Sequence, residues 1–525
     1  MKTLKTSVVI CGAGPAGLTL AHLLGQQDID VVLIEKLDST MSEPRAIAID
    51  GESLRTLQHI GLLDGFKDEL LSGIKAKYTN GDGIELFEMG ERDTKPYGHP
   101  TVNSFDQPTL DRYLADALER RHSVTVLWST RLDRFEQDGD GITAYCHGGD
   151  NEELVISADY LVGCDGGRSL VRSQLGIQMS GESNPLPWLV IDTIDPHLEN
   201  TMDCQFFCDP RRPGMTIKKR HGERRWEWML MPGEDREYLL DDANIKNLIS
   251  PYTDVESVNI YRKRVYDFHA IIAERWQEGR VFIAGDAAHM TPPFAGQGLN
   301  SGFRDVTNIF WKLAAVVKGK ASSAILESYE TERRDHAWSL IETALALGAQ
   351  IQPIDQDQAK ERDAFFAELQ KDPAALEQLE DDMSASLLLR DVGDGLAVDM
   401  SQDSVAGKLL IQPLLETAQG DRVLLDDMLG DGFSIVGFGG DPRKMLSPQT
   451  LEQWSQFGAG YLHIAESTVS SSHADVIDAH AELAEWLGTE TPVLLLIRPD
   501  KFVMAVAAAE TADDMFLKAY RMLAA

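Results

Sequence analysis

The chain has 525 residues, of which 43% are hydrophobic, so it is long enough to form two or three domains with buried cores. Its formal charge of −35 at pH 7 repels nucleic acid and anionic lipid, and neither is expected as a partner. The five cysteines lack C-x-x-C spacing, which favours free thiols in a reducing cytoplasm over a disulfide framework or a metal site.

The N-terminal sequence enters a predicted strand over residues 7–11 directly, without the pattern of a cleavable signal. No run of about 18 apolar residues, the length needed to span a bilayer, follows it. We therefore expect a cytoplasmic protein without a membrane-spanning helix.

A glycine motif follows this first strand. Residues 12–17 match G-x-G-x-x-G and lead into leucines at helical spacing. A second apolar run ends in Glu35, 18 residues after the third glycine, near the distance at which a carboxylate binds a ribose hydroxyl. The motif alone can be a structural turn, but with strand, helix and acid it indicates a dinucleotide-binding unit. The predicted cofactor contacts here are Gly12, Ala13, Gly14, Pro15, Ala16, Gly17, Glu35 and Lys36.

Two polar residues stand in loops beyond this unit. Arg45 lies in the sequence Pro44-Arg45-Ala46, and Gln107 precedes a helix predicted from leucines at core spacing. From the residues alone, Arg45 is a solvated arginine and Gln107 a surface residue near a helix N-terminus.

Two further predicted strands end in a carboxylate. The strand over 160–164 leads into Asp165, followed by Arg168, and the strand over 281–284 leads into Asp286. Together with the glycine motif, the chain has three loops at carboxyl ends of strands, where open α/β sheets bind ligands.

The stretch over 292–300 is predicted to be a clamp around a ligand. Pro292 and Pro293 fix two backbone angles, and Gly296 and Gly298 allow close approach of backbone N–H groups. A helix begins at about Leu299, so its positive end faces the same place. The alternative is a purely structural strand-to-helix turn.

The region 181–264 has the alternating pattern of a two-faced sheet, with Trp226 and Trp228 on one face and Arg225 and Glu227 on the other. Within it, residues 211–225 hold seven Lys or Arg and one acid. We interpret this basic cluster as solvated surface, with an entry site for NADPH phosphates or an anionic substrate as the alternative.

Helical, charged sequence over 351–387 predicts a bridge to a last unit over 388–525. Its predicted order is strand 433–438, helix 448–457, strand 461–464, helix 474–487, strands 493–498 and 502–506, and helix 512–522. This order resembles thioredoxin, and Thr491-Pro492 is a candidate for that fold's cis proline. Because no cysteine follows Cys208, dithiol exchange is excluded, and a packing or dimer module is expected.

These motifs resemble the FAD-dependent single-component aromatic hydroxylases, the flavoprotein monooxygenases, and within them the 3-(3-hydroxyphenyl)propionate hydroxylase-like enzymes with the same tail. The resemblance implies an α/β (α+β) fold. It has a Rossmann-like FAD-binding domain over 1–180 and 265–350, and an inserted β-sheet substrate domain over 181–264. The helical bridge covers 351–387, and a thioredoxin-like domain without redox cysteines covers 388–525.

The resemblance also assigns roles to residues. The cofactor contacts that it implies beyond the first unit are Arg45, Gln107, Asp165, Arg168, Asp286, Pro293, Gly296, Gly298, Leu299 and Asn300. Pro292 and Pro293 supply oriented dipoles beside the isoalloxazine, and no residue is placed to tether FAD covalently. No second G-x-G-x-x-G is present, so NADH or NADPH would dock transiently. No metal is implied, and a homodimer is a candidate assembly.

The implied reaction is NAD(P)H-dependent hydroxylation of a phenolic ring through a flavin C4a-hydroperoxide, in the catabolism of aromatic acids. Alternatives are a hydroxylase that tailors polyketides or other natural products, a hydride-transfer flavin reductase, and a silent FAD scaffold. No catalytic base is specified by spacing, because His289 could equally be a structural residue.

Overall fold

The computed structural model describes residues 2–43, 45–90, 95–149, 152–183, 186–195, 202–388, 391–393, 395–398, 404–466, 474–488 and 492–524. Pro44 and Thr491 lie outside this part of the chain, so the structure does not test the expectation for the Thr491–Pro492 bond.

The first 183 residues contain fourteen strands and five α-helices in their described part. The strands are β1 Lys2–Lys5, β2 Val8–Cys11, β3 Val31–Ile34, β4 Ala48–Asp50, β5 Leu71–Ser72, β6 Lys75–Asn80, β7 Glu85–Gly90, β8 Val102–Ser104, β9 Val124–Leu127, β10 Arg131–Gln137, β11 Ile142–His147, β12 Glu153–Ala158, β13 Tyr160–Gly163 and β14 Met179–Ser183. The helices are α1 Pro15–Gln26, α2 Gly51–His59, α3 Leu63–Phe66, α4 Gln107–Ala117 and α5 Leu170–Gln174.

The central part continues with nine described strands and six described α-helices. The strands are β15 Trp188–Ile194, β16 Cys204–Cys208, β17 Gly214–Lys218, β18 Glu223–Met229, β19 Asn259–Tyr266, β20 His269–Ala273, β21 Gln277–Glu278, β22 Val281–Ile283 and β23 His289–Met290. The helices are α6 Arg236–Leu239, α7 Asp242–Ile249, α8 Gly298–Val317, α9 Ser328–Ile351, α10 Gln356–Leu369 and α11 Pro373–Leu388.

The last part contains the remaining elements of the described chain. The strands are β24 Leu414–Thr417, β25 Arg422–Leu424, β26 Ser434–Phe438, β27 Gly460–Ala465, β28 Val476–Ile477, β29 Val493–Ile497 and β30 Val503–Ala508. The helices are α12 Leu425–Leu429, α13 Pro442–Met445, α14 Pro448–Gln456, α15 Glu482–Leu487 and α16 Ala512–Ala524.

A six-stranded sheet with the order β21-β22-β13-β2-β3-β9 organises the first domain. All neighbours are parallel except β21 and β22. The short strands β2, β3, β13 and β22 are fully buried, as expected for strands covered on both faces. Because β22, β13 and β2 are adjacent, the three predicted loops after them meet at one edge. The predicted α/β class is confirmed.

The middle sheet has seven strands in the order β19-β15-β18-β17-β16-β6-β7. Its strands β6 and β7 come from residues 75–90, so the predicted range 181–264 contains only part of this sheet. Strand β6 pairs in parallel with β16 more than a hundred residues later, and no local pattern reports so distant a pairing. One face of the sheet packs against α6 and α7, while the other packs against Phe294 and helices α9 and α10.

The tail contains a seven-stranded sheet with the order β25-β24-β28-β27-β26-β29-β30. Strand β26 is parallel to β27 and antiparallel to β29, which is antiparallel to β30. The thioredoxin-like order predicted for these four strands is confirmed.

The helix predicted over 474–487 is wrong in its first half. Val476–Ile477 forms a strand, because the Asp475 carboxylate accepts the backbone N–H of His463 at 2.8 Å and so attaches the segment to β27. Helix α15 starts later, where Asp478 accepts the N–H groups of Leu483 and Ala484.

Buried charges join the tail to the first domain. Glu332 on α9 accepts hydrogen bonds from Arg498 at 2.7 and 2.8 Å and from Lys312 at 2.9 Å. Arg498 also pairs with Asp500, and the side chains of these groups are at most 1% exposed. Burial alone would raise the pKa of Glu332, but Arg498 and Lys312 hold it far below its ordinary value. The tail is therefore held by a fully paired ionic network.

No helix in the described ranges has the length and apolar character needed to cross a membrane.

Candidate functional site

The loop between β2 and α1 contains three glycines in different surroundings. Gly12 has φ of +106°, and a Cβ there would lie 2.4 Å from the carbonyl oxygen of Cys164. A Cβ on Gly17 would lie 1.9 Å from the carbonyl oxygen of Gly12, whereas a Cβ on Gly14 would meet no atom within 4 Å. The outer two glycines are thus required by packing, while Gly14 borders open space.

The helix that follows this loop has a free N-terminus. Pro15 occupies the first turn of α1, and no side chain caps it. The first backbone N–H groups of a helix lack partners within the helix, and they carry partial positive charge. The loop therefore offers an anion-binding site of the kind that holds a pyrophosphate.

The Glu35 carboxylate lies against this loop, at the carboxyl end of β3. It accepts the N–H of Ala13 at 2.8 Å and the N–H of Leu37 at 3.0 Å. These bonds fix its position beside the glycine motif, and its contact with a ribose hydroxyl stays a prediction. Lys36 is exposed next to it.

The loop after β13 is stabilised by Asp165. One carboxylate oxygen accepts the N–H groups of Leu170 and Val171 at 2.7 and 3.1 Å, so Asp165 binds the first turn of α5, whose N-cap is Ser169. The other oxygen is buried and has no hydrogen-bond partner in the described part of the chain. Arg168 is exposed. Asp165 thus has a structural role and one oxygen left for a ligand.

Arg172, which the sequence analysis missed, connects two of the loops. Its guanidinium donates to the carbonyl of Gly167 at 2.8 Å and to the carbonyl of Ala287 at 2.9 Å. It therefore fixes the loop after β13 against the loop after β22. The sequence signal was a basic residue within the short helix that follows Asp165.

Gln107 and Arg45 lie together at this edge. The side-chain oxygen of Gln107 accepts the N–H groups of Arg45 and Ala46 at 2.9 and 2.8 Å. The Arg45 guanidinium donates to Asp286 at 2.9 Å, with both side chains partly exposed. Gln107 is buried, with 6% exposure, so the alternative of a surface residue is wrong. Its amide holds the Arg45 loop over the strand ends.

Asp111 lies one helical turn beyond Gln107 and is 1% exposed. The Gln107 amide donates to one of its carboxyl oxygens at 3.3 Å, and the other oxygen has no partner among the described residues. Burial raises the pKa of Asp111 from 3.8 to about 7, an effect that the Gln107 hydrogen bond opposes. Asp111 is therefore a pH-sensitive support of the Arg45 loop.

We expect Asp111→Asn to stabilise the protein increasingly as the pH rises. Because the folded-state pKa is raised, the contribution of Asp111 is full below the unfolded pKa and declines as the pH rises through about 7. The neutral amide of the Asp111→Asn variant avoids this loss. The unfolding free energy of the variant, relative to that of the wild type, should therefore grow by about 2 to 3 kcal/mol between pH 5 and pH 8. Chemical unfolding at the two pH values measures it. If the variant and the wild type differed in stability by the same amount at pH 5 and pH 8, the raised pKa of Asp111 would be contradicted.

The clamp stretch has the predicted loop and helix. Gly296 has φ of +64°, Gly298 borders open space, and no side chain caps the N-terminus of α8. Pro292 is buried, while Pro293 and Leu299 are partly buried. The first N–H groups of this 20-residue helix therefore remain for a ligand.

The Asn300 side chain is not free for a cofactor. Its oxygen accepts the N–H of Asp50 at 3.0 Å and the hydroxyl of Ser53 at 2.7 Å, and its amide donates to the carbonyl of Gly296 at 2.7 Å. The predicted contact is therefore limited to the backbone of Asn300. Its side chain instead fixes the clamp against α2.

His289 lies behind the clamp in a buried network. Its Nε2 atom is 2.8 Å from a carboxylate oxygen of Asp305 that also accepts the N–H of Gly285. The other Asp305 oxygen accepts a bond from Arg333 at 3.0 Å. Burial alone would raise the pKa of Asp305, but His289 and Arg333 hold it below its ordinary value. This geometry favours the structural reading of His289. Asp305, in the buried stripe of α8, was missed.

Part of the basic cluster is internal, while Arg211 and Arg220 are exposed. Lys219 donates to Asp106 at 3.0 Å, and Arg225 binds both oxygens of Asp192 at 3.0 and 3.1 Å. Both basic side chains are at most 2% exposed. The interpretation as solvated surface is wrong for these two residues, whose partners Asp106 and Asp192 are distant in sequence. Their charge is used within the protein and does not support a phosphate entry site.

Comparisons of this chain with known protein families and relatives agree with this geometry. Residues 5–344 match the family described as FAD binding domain. The chain is 36% identical over 517 residues to 3-(3-hydroxy-phenyl)propionate/3-hydroxycinnamic acid hydroxylase from Burkholderia cenocepacia (strain HI2424), covering 95% of this chain and 94% of the relative. The chain belongs to the FAD-dependent aromatic hydroxylases. Residues 407–521 match the HcaD C-terminal domain family.

A second relative and a solved structure are similar to nearly the whole chain. The enzyme of the same name from Escherichia coli O81 (strain ED1a) is 35% identical over 516 residues, covering 97% of this chain and 93% of the relative. The solved structure of the flavin-dependent monooxygenase PieE in complex with FAD and substrate has a TM-score of 0.81 and 20% identity, covering 99% of both chains. This structural likeness shows the fold of the hydroxylase.

The three loops fit FAD, the cofactor of this hydroxylase family. Gly14 leaves room beside the uncapped start of α1, the buried Asp165 oxygen has no partner within the described ranges, and α8 presents a second uncapped N-terminus. Each feature supplies a polar group or a space for a bound anionic ligand. Their common position at the carboxyl ends of adjacent strands matches the ligand position expected of such sheets.

Proposed function

We propose that this hydroxylase acts on a phenolic acid resembling 3-(3-hydroxyphenyl)propionate, in the catabolism of aromatic compounds. The observation that carries the proposal is identity of 35 to 36% with relatives of that name over nearly the full length of both chains. Such a substrate combines an electron-rich ring with a carboxylate, and it requires both an apolar cavity and polar anchors.

The proposed site binds FAD through the glycine motif and Glu35, and positions its ring system at the clamp and Arg45. Bound FAD would accept a hydride from NAD(P)H and use O2 to supply one oxygen atom to the ring. The protein's part is to orient the cofactor, through the Pro292-Pro293 loop and the positive end of α8, and to exclude water beneath the middle sheet.

We propose the domain division from the sequence, with the β6–β7 hairpin added to the substrate sheet. Cofactor binding then lies in 1–180, without this hairpin, and in 265–350, and the substrate cavity lies under the hairpin and 181–264. A bridge covers 351–387, and an inert tail covers 388–525. The buried network around Glu332 supports a packing role for the tail, which could extend to a homodimer. The five free cysteines support a cytoplasmic location.

The test is NAD(P)H consumption by FAD-loaded protein with a panel of phenolic acids, in air and without oxygen. We expect a phenolic acid to accelerate NAD(P)H consumption in air and to yield a hydroxylated product. Substrate reduction that proceeds without oxygen would instead identify a hydride-transfer reductase. No consumption with any substrate would identify a scaffold.

Glu35→Ala should weaken FAD binding by about 1 to 3 kcal/mol. The substitution removes both the predicted ribose contact and the hydrogen bond that positions Ala13, whereas Glu35→Gln retains an acceptor and should lose less. Titration of apoprotein with FAD measures the affinities, and acid precipitation should release FAD from the wild-type protein into solution. If the wild type, Glu35→Ala and Glu35→Gln bound FAD with equal affinity, Glu35 would not be a cofactor contact.

A further inference from the structure

Glu227 is a buried carboxyl group on the inner face of the middle sheet. Strand β18 alternates, so Trp226 and Trp228 pack on the outer face against α6 and α7, while Arg225, Glu227 and Met229 lie on the opposite face. The Glu227 side chain is 9% exposed. A charged residue between two tryptophans therefore points toward the first domain.

The inner face of β18 is attached to cofactor loops on both sides of Glu227. On one side, Met229 belongs to the apolar cluster that includes Trp188 and Phe294, whose rings lie 5.5 Å apart. Phe294 directly follows the proline pair of the clamp. On the other side, Arg225 donates to the backbone carbonyl of Arg45 at 3.2 Å. Glu227 lies between these attachments, on the face of the sheet that is turned toward the clamp and the Arg45 loop.

The Glu227 carboxyl accepts no hydrogen bond from the described residues, and the nearest cationic nitrogen, on Arg225, is 3.8 Å away. Arg225 already binds both oxygens of Asp192, so its charge is largely balanced. Burying a carboxyl group without hydrogen-bond donors costs free energy. The oxygens of Glu227 can therefore accept a hydrogen bond from a ligand.

The charged and titratable groups on this face lie on five strands. They are Tyr78 on β6, Asp192 on β15, Cys204 and Cys208 on β16, Glu223 and Arg225 on β18, and Arg262, Arg264 and Tyr266 on β19. Burial raises the pKa of Glu227 from 4.5 to about 7, with Arg225 opposing the change and Asp192 adding to it. Glu227 therefore exchanges a proton near neutral pH, where a general base is most effective.

We propose that Glu227 binds the ring hydroxyl of the substrate and removes its proton. The O–H bond of the phenol breaks, an O–H bond forms on the carboxylate, and the electron pair remains on the phenolate oxygen. The ring becomes richer in electrons for oxygen transfer, and the proton returns when the product leaves. This inference rests on the proposed function, because it requires a phenolic substrate. Trp188 and Met229 supply apolar surface for the ring on the same face.

The test compares Glu227→Gln and Glu227→Asp with Glu223→Gln in the FAD-loaded protein. Glu223 is a matched control, because it lies on the same face of β18 but accepts a bond from Tyr261 at 2.6 Å and pairs with Lys219. Three properties are measured: FAD content, the pH profile of coupled hydroxylation, and binding of a phenolic acid and of its analogue without the hydroxyl group.

We expect Glu227→Gln to retain FAD, to lower coupled hydroxylation at least a hundredfold at pH 8 and to abolish the pH dependence near 7. Binding of the analogue should be unchanged, Glu227→Asp should recover part of the rate, and Glu223→Gln should stay within twofold of wild type. A Glu227→Gln protein with wild-type rate and pH profile would overturn the inference alone, as would equal loss of phenol and analogue binding. A wild-type protein that hydroxylates no phenolic acid would overturn the proposed function as well.

Discussion

Gly14→Ala is expected to leave the stability of the apoprotein unchanged while lowering its affinity for FAD about a hundredfold, or about 2.7 kcal/mol. The added methyl group meets no protein atom within 4 Å, and the backbone φ of −81° suits any residue. It would, however, occupy the space through which the pyrophosphate approaches the loop. Melting of the apoprotein and FAD titration measure the two effects separately.

Gly17→Ala is the matched variant on the same loop. Its Cβ would lie 1.9 Å from the carbonyl oxygen of Gly12, so the backbone must shift, and the apoprotein itself should lose about 3 kcal/mol or more of stability. If both variants lost stability equally, or if Gly14→Ala bound FAD normally, the assignment of the pyrophosphate to this loop would be wrong.

Arg498→Met should destabilise the protein by about 3 to 5 kcal/mol, because it leaves buried carboxylates without their main counter-charge. Arg498 and its partners Glu332 and Asp500 are at most 1% exposed. Since Glu332 belongs to α9 and Arg498 to the tail, the loss should appear in the stability of both domains. Unfolding followed by flavin fluorescence and by circular dichroism reports it.

Arg443→Met is the control in the same tail domain. Arg443 pairs with Asp441 and Asp475, but its side chain is 46% exposed, and exposed ion pairs contribute about 1 kcal/mol or less. A tail that is an independent appendage would respond equally weakly to both substitutions. That outcome would contradict the packing role of the tail.

The parts of the fold and site that the sequence predicted are those with local signals. The glycine motif, Glu35 and Asp286 each stand within a few residues of a strand that ends, and the parallel sheet then brings them to one edge. Four of the seven described tail strands, β26, β27, β29 and β30, were recognisable because each is a short apolar run between turns. The shorter strands β24, β25 and β28 were not predicted.

The parts that could not be predicted depend on distant partners. The hairpin β6–β7 joins β16 across more than a hundred residues, and the buried position of Lys219 depends on Asp106. The side chain of Asn300 binds α2 rather than the cofactor, since Ser53 and Asp50 lie opposite it. Propensity and spacing carry no information about which distant side chain completes such a contact.

Some missed residues did leave a signal. Asp305 is a charge within the apolar stripe of α8, and Glu227 is a charge between two tryptophans of an alternating strand. Because periodicity assigns the position of Asp305 to the interior, this charge is expected to be paired or functional, whereas the alternation assigns Glu227 only to the face opposite the tryptophans. Asp305 is paired with Arg333, while Glu227 lacks a close partner within the described residues, which is why we assign it to the substrate.

The source of the oxygen atom in the product shows directly whether this protein is a monooxygenase. FAD-loaded protein is supplied with NAD(P)H, a phenolic acid such as 3-(3-hydroxyphenyl)propionate and ¹⁸O2, and the product is analysed by mass spectrometry. We expect a ring-hydroxylated product that carries one ¹⁸O atom, and no label when ¹⁸O is supplied only in water. Substrate-dependent consumption of NAD(P)H without a labelled product for any phenolic acid would contradict it.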